Sequence, residues 1–174
     1  MHRLHHLWLS PFCRKIRVQM AEKKIDFELN IEKVWERRDD FLALNPSGQV
    51  PVLEVSGGPA LADSIAISEY LEEVHSDPNL LGEAPAARAE TRRLVAWFDQ
   101  KFNSEVTAML VHQKITRRLL SLGEPDSMAI RAGNANIHMH LDYIAWLTED
   151  RRWLSGDEFS LGDIAAAAHL SCVD

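Results

Sequence analysis

The chain has 174 residues, 46% of them hydrophobic, with 26 acidic against 19 basic side chains and a formal charge of −7. That apolar content supports a packed core rather than disorder, and the length suits one large domain or two small ones. The acidic excess argues against nucleic acid or an anionic membrane as a bulk electrostatic partner, and no apolar run approaches the roughly 18 residues that span a bilayer.

In chain order, "RLHHLWL" reads as a short strand bounded by Pro11. From Phe12 to Lys24, the apolar residues Phe12, Ile16, Met20 and Ala21 recur at helical spacing. Arg14, Lys15, Arg17, Lys23 and Lys24, with Glu22 among them, are expected to make the solvated face of that helix. "IDFELNIEKV" predicts a strand with Phe27, Leu29 and Ile31 inward and Glu28, Asn30 and Glu32 on a wet face. A short helix at "RRDDFLALN" ends at Asn45-Pro46. "QVPVLEV" reads as a strand, "SGG" as a turn, "PALA" as the start of another strand, and "DSIAISEYLEEVH" as a capped amphipathic helix. The order β-α-β-α-β-β-α over residues 1–76 fits a small mixed sheet covered by helices.

A punctuation-rich linker at 77–85 follows, and from 86 to 174 strand signals stop. A long helix from Ala86 places Val95, Phe98, Phe102, Val106 and Met109 on one stripe. "GEPDS" breaks it, and a second long helix carries Ile130, Ile137, Leu141 and Ile144. The last segment, "FSLGDIAAAAHLSCVD", opens on a capping box of Ser160 and Asp163, flanked by a hydrophobic staple of Phe159 and Ile164. The helix it starts is apolar nearly all round, which predicts burial on every side. It ends on Asp174, whose charge opposes the helix dipole. Further helices beyond residue 174 are therefore expected, and the helical region is read as incomplete.

Cys13 and Cys172 are the two cysteines, and the start "MHRLHHLWL" lacks the long apolar stretch of a secretory leader. Two thiols so far apart point to a reducing compartment, so a soluble, cytoplasmic protein is expected. In "LWLSPFCRK", Ser10 fits the N-cap of the first helix, with Pro11 at N1 and Cys13 at N3. Capping alone explains the serine, at about 1 kcal/mol on replacement by alanine. Chemistry explains it equally well: a helix N-terminus favours a thiolate, and a hydroxyl that donates to the sulfur lowers the thiol pKa. Cys13 is an alternative reactive group, with simple packing as its competing explanation.

Further along, a cis Val50–Pro51 bond would open the Val50 backbone to a peptide-like ligand. Asp63 and Ser64 stand at a helix start able to hold a carboxylate, or merely to cap it. Trp35, beside Glu36, Arg37 and Arg38, has the aromatic-and-arginine composition of an interface hot spot, or is an ordinary loop anchor. No metal site is expected: His138 and Asp142 share a helix face, but two ligands rarely suffice, His138 and His140 diverge, and His5 and His6 split across a strand.

Taken together and in this order, "SPFCRKIR", "NPSGQVPVL", "ADSIAISEYL" and "SLGDIAAA" resemble the glutathione S-transferase family over essentially the whole chain. The resemblance implies a thioredoxin-like α/β N-terminal domain and an all-α C-terminal domain. It also implies a homodimer, glutathione as co-substrate, and no tightly bound cofactor. By the matching motifs, Ser10 would contact the glutathione sulfur and Val50, before cis-Pro51, would pair with the cysteinyl backbone. Asp63 with Ser64 would hold the γ-glutamyl end, and Arg37 and Gln49 are candidates for the glycyl carboxylate. "SPF" resembles the serine-type classes, which ranks Ser10 ahead of Cys13. The implied activity is conjugation or thiol transfer to an electrophile. Trp8, Trp35 and Trp97 are candidates for the apolar side of that site, although such spacings also suit a core.

A glutaredoxin-like reductase acting through Cys13 ranks behind, for want of the partner cysteine. A narrower resemblance, in "LWLSPFCRK", "IEKVWERR", "AWFDQKFNSEV" and "AIRAGNANIHMHLDYIAWL", is to an alphaproteobacterial subgroup of the family. It implies an alternative: a non-catalytic, dimeric cell-division protein that binds the tubulin-like FtsZ.

Overall fold

In the computed structural model, which describes residues 1–174, the chain divides into two units, Met1–Asn79 and Leu80–Asp174. The first runs β1 (His2–His6), α1 (Pro11–Glu22), β2 (Phe27–Ile31), a 3-10 turn (Val34–Glu36), α2 (Asp39–Leu44), β3 (Val52–Glu54), β4 (Ala60–Ala62) and α3 (Ser64–Val74). The sheet order is β2-β1-β3-β4. β1 pairs parallel with β2, as a helical crossover requires, and β3 and β4 close the sheet as an antiparallel hairpin. This is the thioredoxin-like topology.

Period-two alternation along β1 and β3 sends Leu4 and Leu53 to one face, where they are fully buried with Ile16 and Met20 of α1 and Ile67 and Leu71 of α3. The other face carries His5, whose ring sits 5.6 Å from Phe41 of α2.

Two expectations are corrected here. Leu29 and Ile31 are 42% and 55% exposed, whereas Glu32 is buried. β2 is an edge strand of which Phe27 packs against the core, and the buried Glu32, just past its end, is held by Arg38 through Nη2 at 3.0 Å. The basic residues of α1 are not a uniformly solvated face either: Lys15 and Lys23 are buried. The Lys23 ammonium donates to the carbonyls of His75 and Pro78, both at 2.6 Å, and meets Glu72 at 3.0 Å.

The second unit begins with α4 (Pro85–Ala96), which continues without a break as a π-helical segment (Trp97–Thr107), α5 (Ala108–Val111), a π-helical turn (His112–Thr116) and α6 (Arg117–Leu119). α7 (Ser127–Thr148) and α8 (Leu161–Val173) complete it. Phe98, Phe102, Val106 and Leu110 are buried at a strict four-residue interval, which a wider π turn keeps on one face. Leu110 therefore takes the place expected for Met109.

Along α7 the buried positions are Gly133, His140 and Leu147, with Ile137 and Ile144 packed between them, and Leu141 is exposed. The reason is local. A β-carbon on Gly133 would lie 2.9 Å from Cδ2 of Leu110, so the helices touch at the glycine and fix the phase of α7. α8 is buried nearly throughout, as its composition predicts. Its capping box is present: Ser160 Oγ accepts the Gly162 N–H at 3.1 Å, and Asp163 Oδ2 accepts the Ser160 N–H at 3.0 Å. Asp163 Oδ1 also accepts the Leu154 N–H at 2.8 Å. No helix of the chain is long and apolar enough to cross a membrane.

Candidate functional site

Strand register brings the sequence motifs together. His5 lies opposite Val52, and Val52 opposite Ala62, so the end of β1, the start of β3 and the end of β4 share one end of the sheet. Ser10 follows that end of β1, Pro51 precedes β3 and Asp63 follows β4. β2 runs parallel to β1 with Ile31 beside His6, which carries Trp35 and Arg37 past the same end. The site residues expected in the first unit therefore sit on the loops, the 3-10 turn and the first turns of α1 and α3 at this end.

Ser10 caps α1. Its backbone is extended (φ −82°, ψ 117°), and its Oγ accepts the Cys13 N–H at 3.3 Å. Accepting that bond occupies a lone pair and leaves the hydroxyl hydrogen available to donate outward. Capping and thiolate stabilisation are thus compatible in one side chain. The Cys13 side chain is fully buried, whereas Ser10 is half-buried and the more accessible of the two.

Val50–Pro51 is cis. Val50 is partly exposed while Pro51 is buried. Asp63 occupies φ +75°, ψ 130°, a conformation L-residues rarely adopt, and its carboxylate caps α3 by accepting the Ile65 N–H at 2.7 Å. Such a backbone conformation costs of order 1–3 kcal/mol. Ser64, next to it, is buried. Arg37 ends the 3-10 turn in the left-handed region (φ +47°) and is exposed, as is Gln49.

Two residues that sequence reasoning passed over shape this end of the sheet. Asn45, read only as the end of α2, is buried; its Nδ2 donates to the Gln49 carbonyl at 2.8 Å, and its Oδ1 accepts from the N–H and Oγ of Ser47. It folds the loop that delivers Gln49 and Val50, and the Asn-Pro-Ser-Gly run was the available signal. Arg14, grouped with the solvated cations, donates from Nε to the Trp8 carbonyl at 2.8 Å and pins the turn before Ser10. In the second unit, Trp97 packs against the helical core, so its spacing reflects packing there.

Residues 9–74 match the model of the glutathione S-transferase N-terminal domain. The crystal structure of a glutathione S-transferase from Rhodospirillum rubrum F11 is 56% identical, with a TM-score of 0.98, covering 100% of this chain and 78% of that one. The chain belongs to the glutathione S-transferase family. Within the family, FtsZ-localized protein A of Caulobacter vibrioides is 45% identical over 98% of this chain and 76% of its own length. The structure of FzlA from C. crescentus superposes with a TM-score of 0.95 at 45% identity, over 99% of this chain and 78% of that one. This glutathione S-transferase-like chain is thus similar both to a protein described as a glutathione S-transferase and to one described as FtsZ-localized.

Proposed function

We propose that the loop-end cluster binds glutathione, or a related thiol, with Ser10 donating a hydrogen bond to the thiolate. The observation that carries this reading is the Ser10 Oγ accepting the Cys13 N–H at the mouth of α1. That arrangement fixes the oxygen, leaves its proton for the sulfur, and adds the positive end of the helix dipole. Ionisation of the thiol would then need no general base, because the hydroxyl stabilises the anion without losing its own proton. The Val50 backbone would pair with the cysteinyl backbone of the tripeptide, Asp63 and Ser64 would receive its γ-glutamyl end, and Arg37 and Gln49 would face its glycyl carboxylate. The reaction supported is conjugation or thiol transfer to an electrophile. Calorimetry with glutathione tests it: millimolar or tighter binding that weakens in Ser10→Ala supports the site, and no measurable heat with the wild type removes it.

A second reading has its own support, the 45% identity to FtsZ-localized protein A across almost the whole chain. On that reading the chain is a non-catalytic, dimeric division protein that binds FtsZ filaments. Trp35, 41% exposed on the 3-10 turn between β2 and α2, is its candidate contact, consistent with the preference of hot spots for tryptophan. Co-sedimentation with polymerised FtsZ tests it: pelleting that is lost in Trp35→Ala supports the contact, and failure of the wild type to pellet discards it. The two readings are separable, since thiol binding is measured without FtsZ and pelleting without glutathione.

A further inference from the structure

His6, the last residue of β1, is fully buried, and neither of its ring nitrogens has a hydrogen-bond partner. Buried polar atoms are almost always satisfied, so an imidazole with both nitrogens idle calls for an explanation. Its neighbour supplies one. The ring meets the Trp8 indole edge-on, with centroids 4.7 Å apart and planes at 85°. The guanidinium of Arg17, one turn into α1, lies over the same indole, with Cζ 4.5 Å from the ring centre.

Arg17 is half-buried. Arg151, half-buried too, is paired with Glu90 at 2.7 Å, and half-buried Arg14 donates to the Trp8 carbonyl, whereas Arg17 lies on the indole. Burial, and then the like charge of Arg14, oppose the charge on Arg17. Burial, and then Arg17 itself, lower the pKa of His6, against a smaller opposing effect of the Leu7 backbone; the neutral imidazole that these favour carries one N–H donor. In a chain of net charge −7, this corner has a stacked cation and an idle donor around one half-exposed indole.

We propose that Arg17, Trp8 and His6 form a binding site for an oxyanion, a carboxylate or a phosphate group. The Arg17 guanidinium supplies the opposite charge and a forked pair of donors, and the His6 N–H supplies a neutral donor. Trp8, 50% exposed, covers the imidazole and swings aside to admit the anion, so its indole reports occupancy. None of these three side chains is assigned a contact with glutathione above, and the oxyanion site stands whether or not that reading does.

The test is titration of the isotope-labelled chain at constant ionic strength, following the Trp8 indole N–H and the His6 ring resonances by NMR. Three probes are used: inorganic phosphate, succinate, and a short glutamate-rich peptide. Saturable shifts at both residues are expected, weakened about tenfold or more in Arg17→Met, as loss of a charged hydrogen bond requires. Arg17→Lys, which keeps the charge but not the fork, should retain part of the affinity, and His6→Leu should weaken binding several-fold. Stronger binding of the peptide than of the free anions assigns the site to an acidic segment of a partner, and the reverse assigns it to a small molecule. Absence of saturation with all three probes, or an unchanged response in the Arg17 variants, overturns the proposal.

Discussion

The indole N–H of Trp97 donates to Nδ1 of His140 at 3.1 Å, while Nε2 of the same imidazole meets Glu105 at 2.9 Å. One fully buried histidine of α7 therefore ties together both ends of the π-helical segment. The bond from Trp97 requires Nδ1 to be the acceptor, which makes Nε2–H the donor to the carboxylate. His140→Leu should leave the indole N–H without its acceptor and Glu105 with only its lysine partner, at a cost of about 1–3 kcal/mol. Urea denaturation followed by tryptophan fluorescence checks this, and an unchanged midpoint would refute it.

Glu90 is held at about pH 2 against an ordinary value of 4.5, first by its hydrogen bonds with Arg93 and then by Arg151, with burial acting in the opposite sense. A depressed carboxylate pKa adds stability that is complete above the unfolded-state value and fades as pH falls towards the folded-state one. The wild type should therefore melt higher than Glu90→Gln above pH 4.5, with the gap closing as pH falls towards 2. A gap that stays constant across an acid series of melting curves contradicts the assignment.

Two substitutions at Ser10 separate its structural role from its chemical one. Glycine is nearly as good an N-cap as serine, at a few tenths of a kcal/mol, whereas alanine costs about 1 kcal/mol. Ser10→Gly should therefore keep most of the stability that Ser10→Ala loses. Both should lose affinity for glutathione if the hydroxyl donates to the thiolate. Thermal melts alongside calorimetry resolve the two effects, and full glutathione affinity in Ser10→Gly would make the serine a cap alone.

Lys23→Met should be severe. The ammonium satisfies two carbonyls and the buried Glu72, and breaking a buried pair on one side costs about 3–5 kcal/mol. A drop of several degrees or more in melting temperature is expected, relieved in part by adding Glu72→Gln. A near-neutral single variant would show that the lysine is better solvated than its contacts indicate.

Lys23 also shows what a sequence does not disclose. Its charge and helical spacing read as solvated because its acceptors, at the end of α3 and just beyond, lie about 50 residues away in the chain. Local signals were legible where both partners are close in sequence. The caps at Ser10, Asp63 and Ser160 are of this kind, as is the cis bond at Val50–Pro51. The face of β2 was not, since edge position depends on which strands flank it and the buried Glu32 is held by Arg38. The candidate site itself was legible as separate motifs. Their convergence needed the register of His5, Val52 and Ala62.

The four-residue interval of the buried Phe98, Phe102, Val106 and Leu110 has a bearing on how this chain can change. Each residue added to or removed from an ordinary helix turns everything downstream by about 100°. Inside Trp97–Thr107 the wide winding sets the angular bearing of Leu110 against Gly133. A one-residue deletion there would swing Leu110 out of its groove, while the same deletion in the "GEPDS" connection would leave that groove filled. Length variation among descendants of this chain should therefore gather in the connection and spare the wound segment.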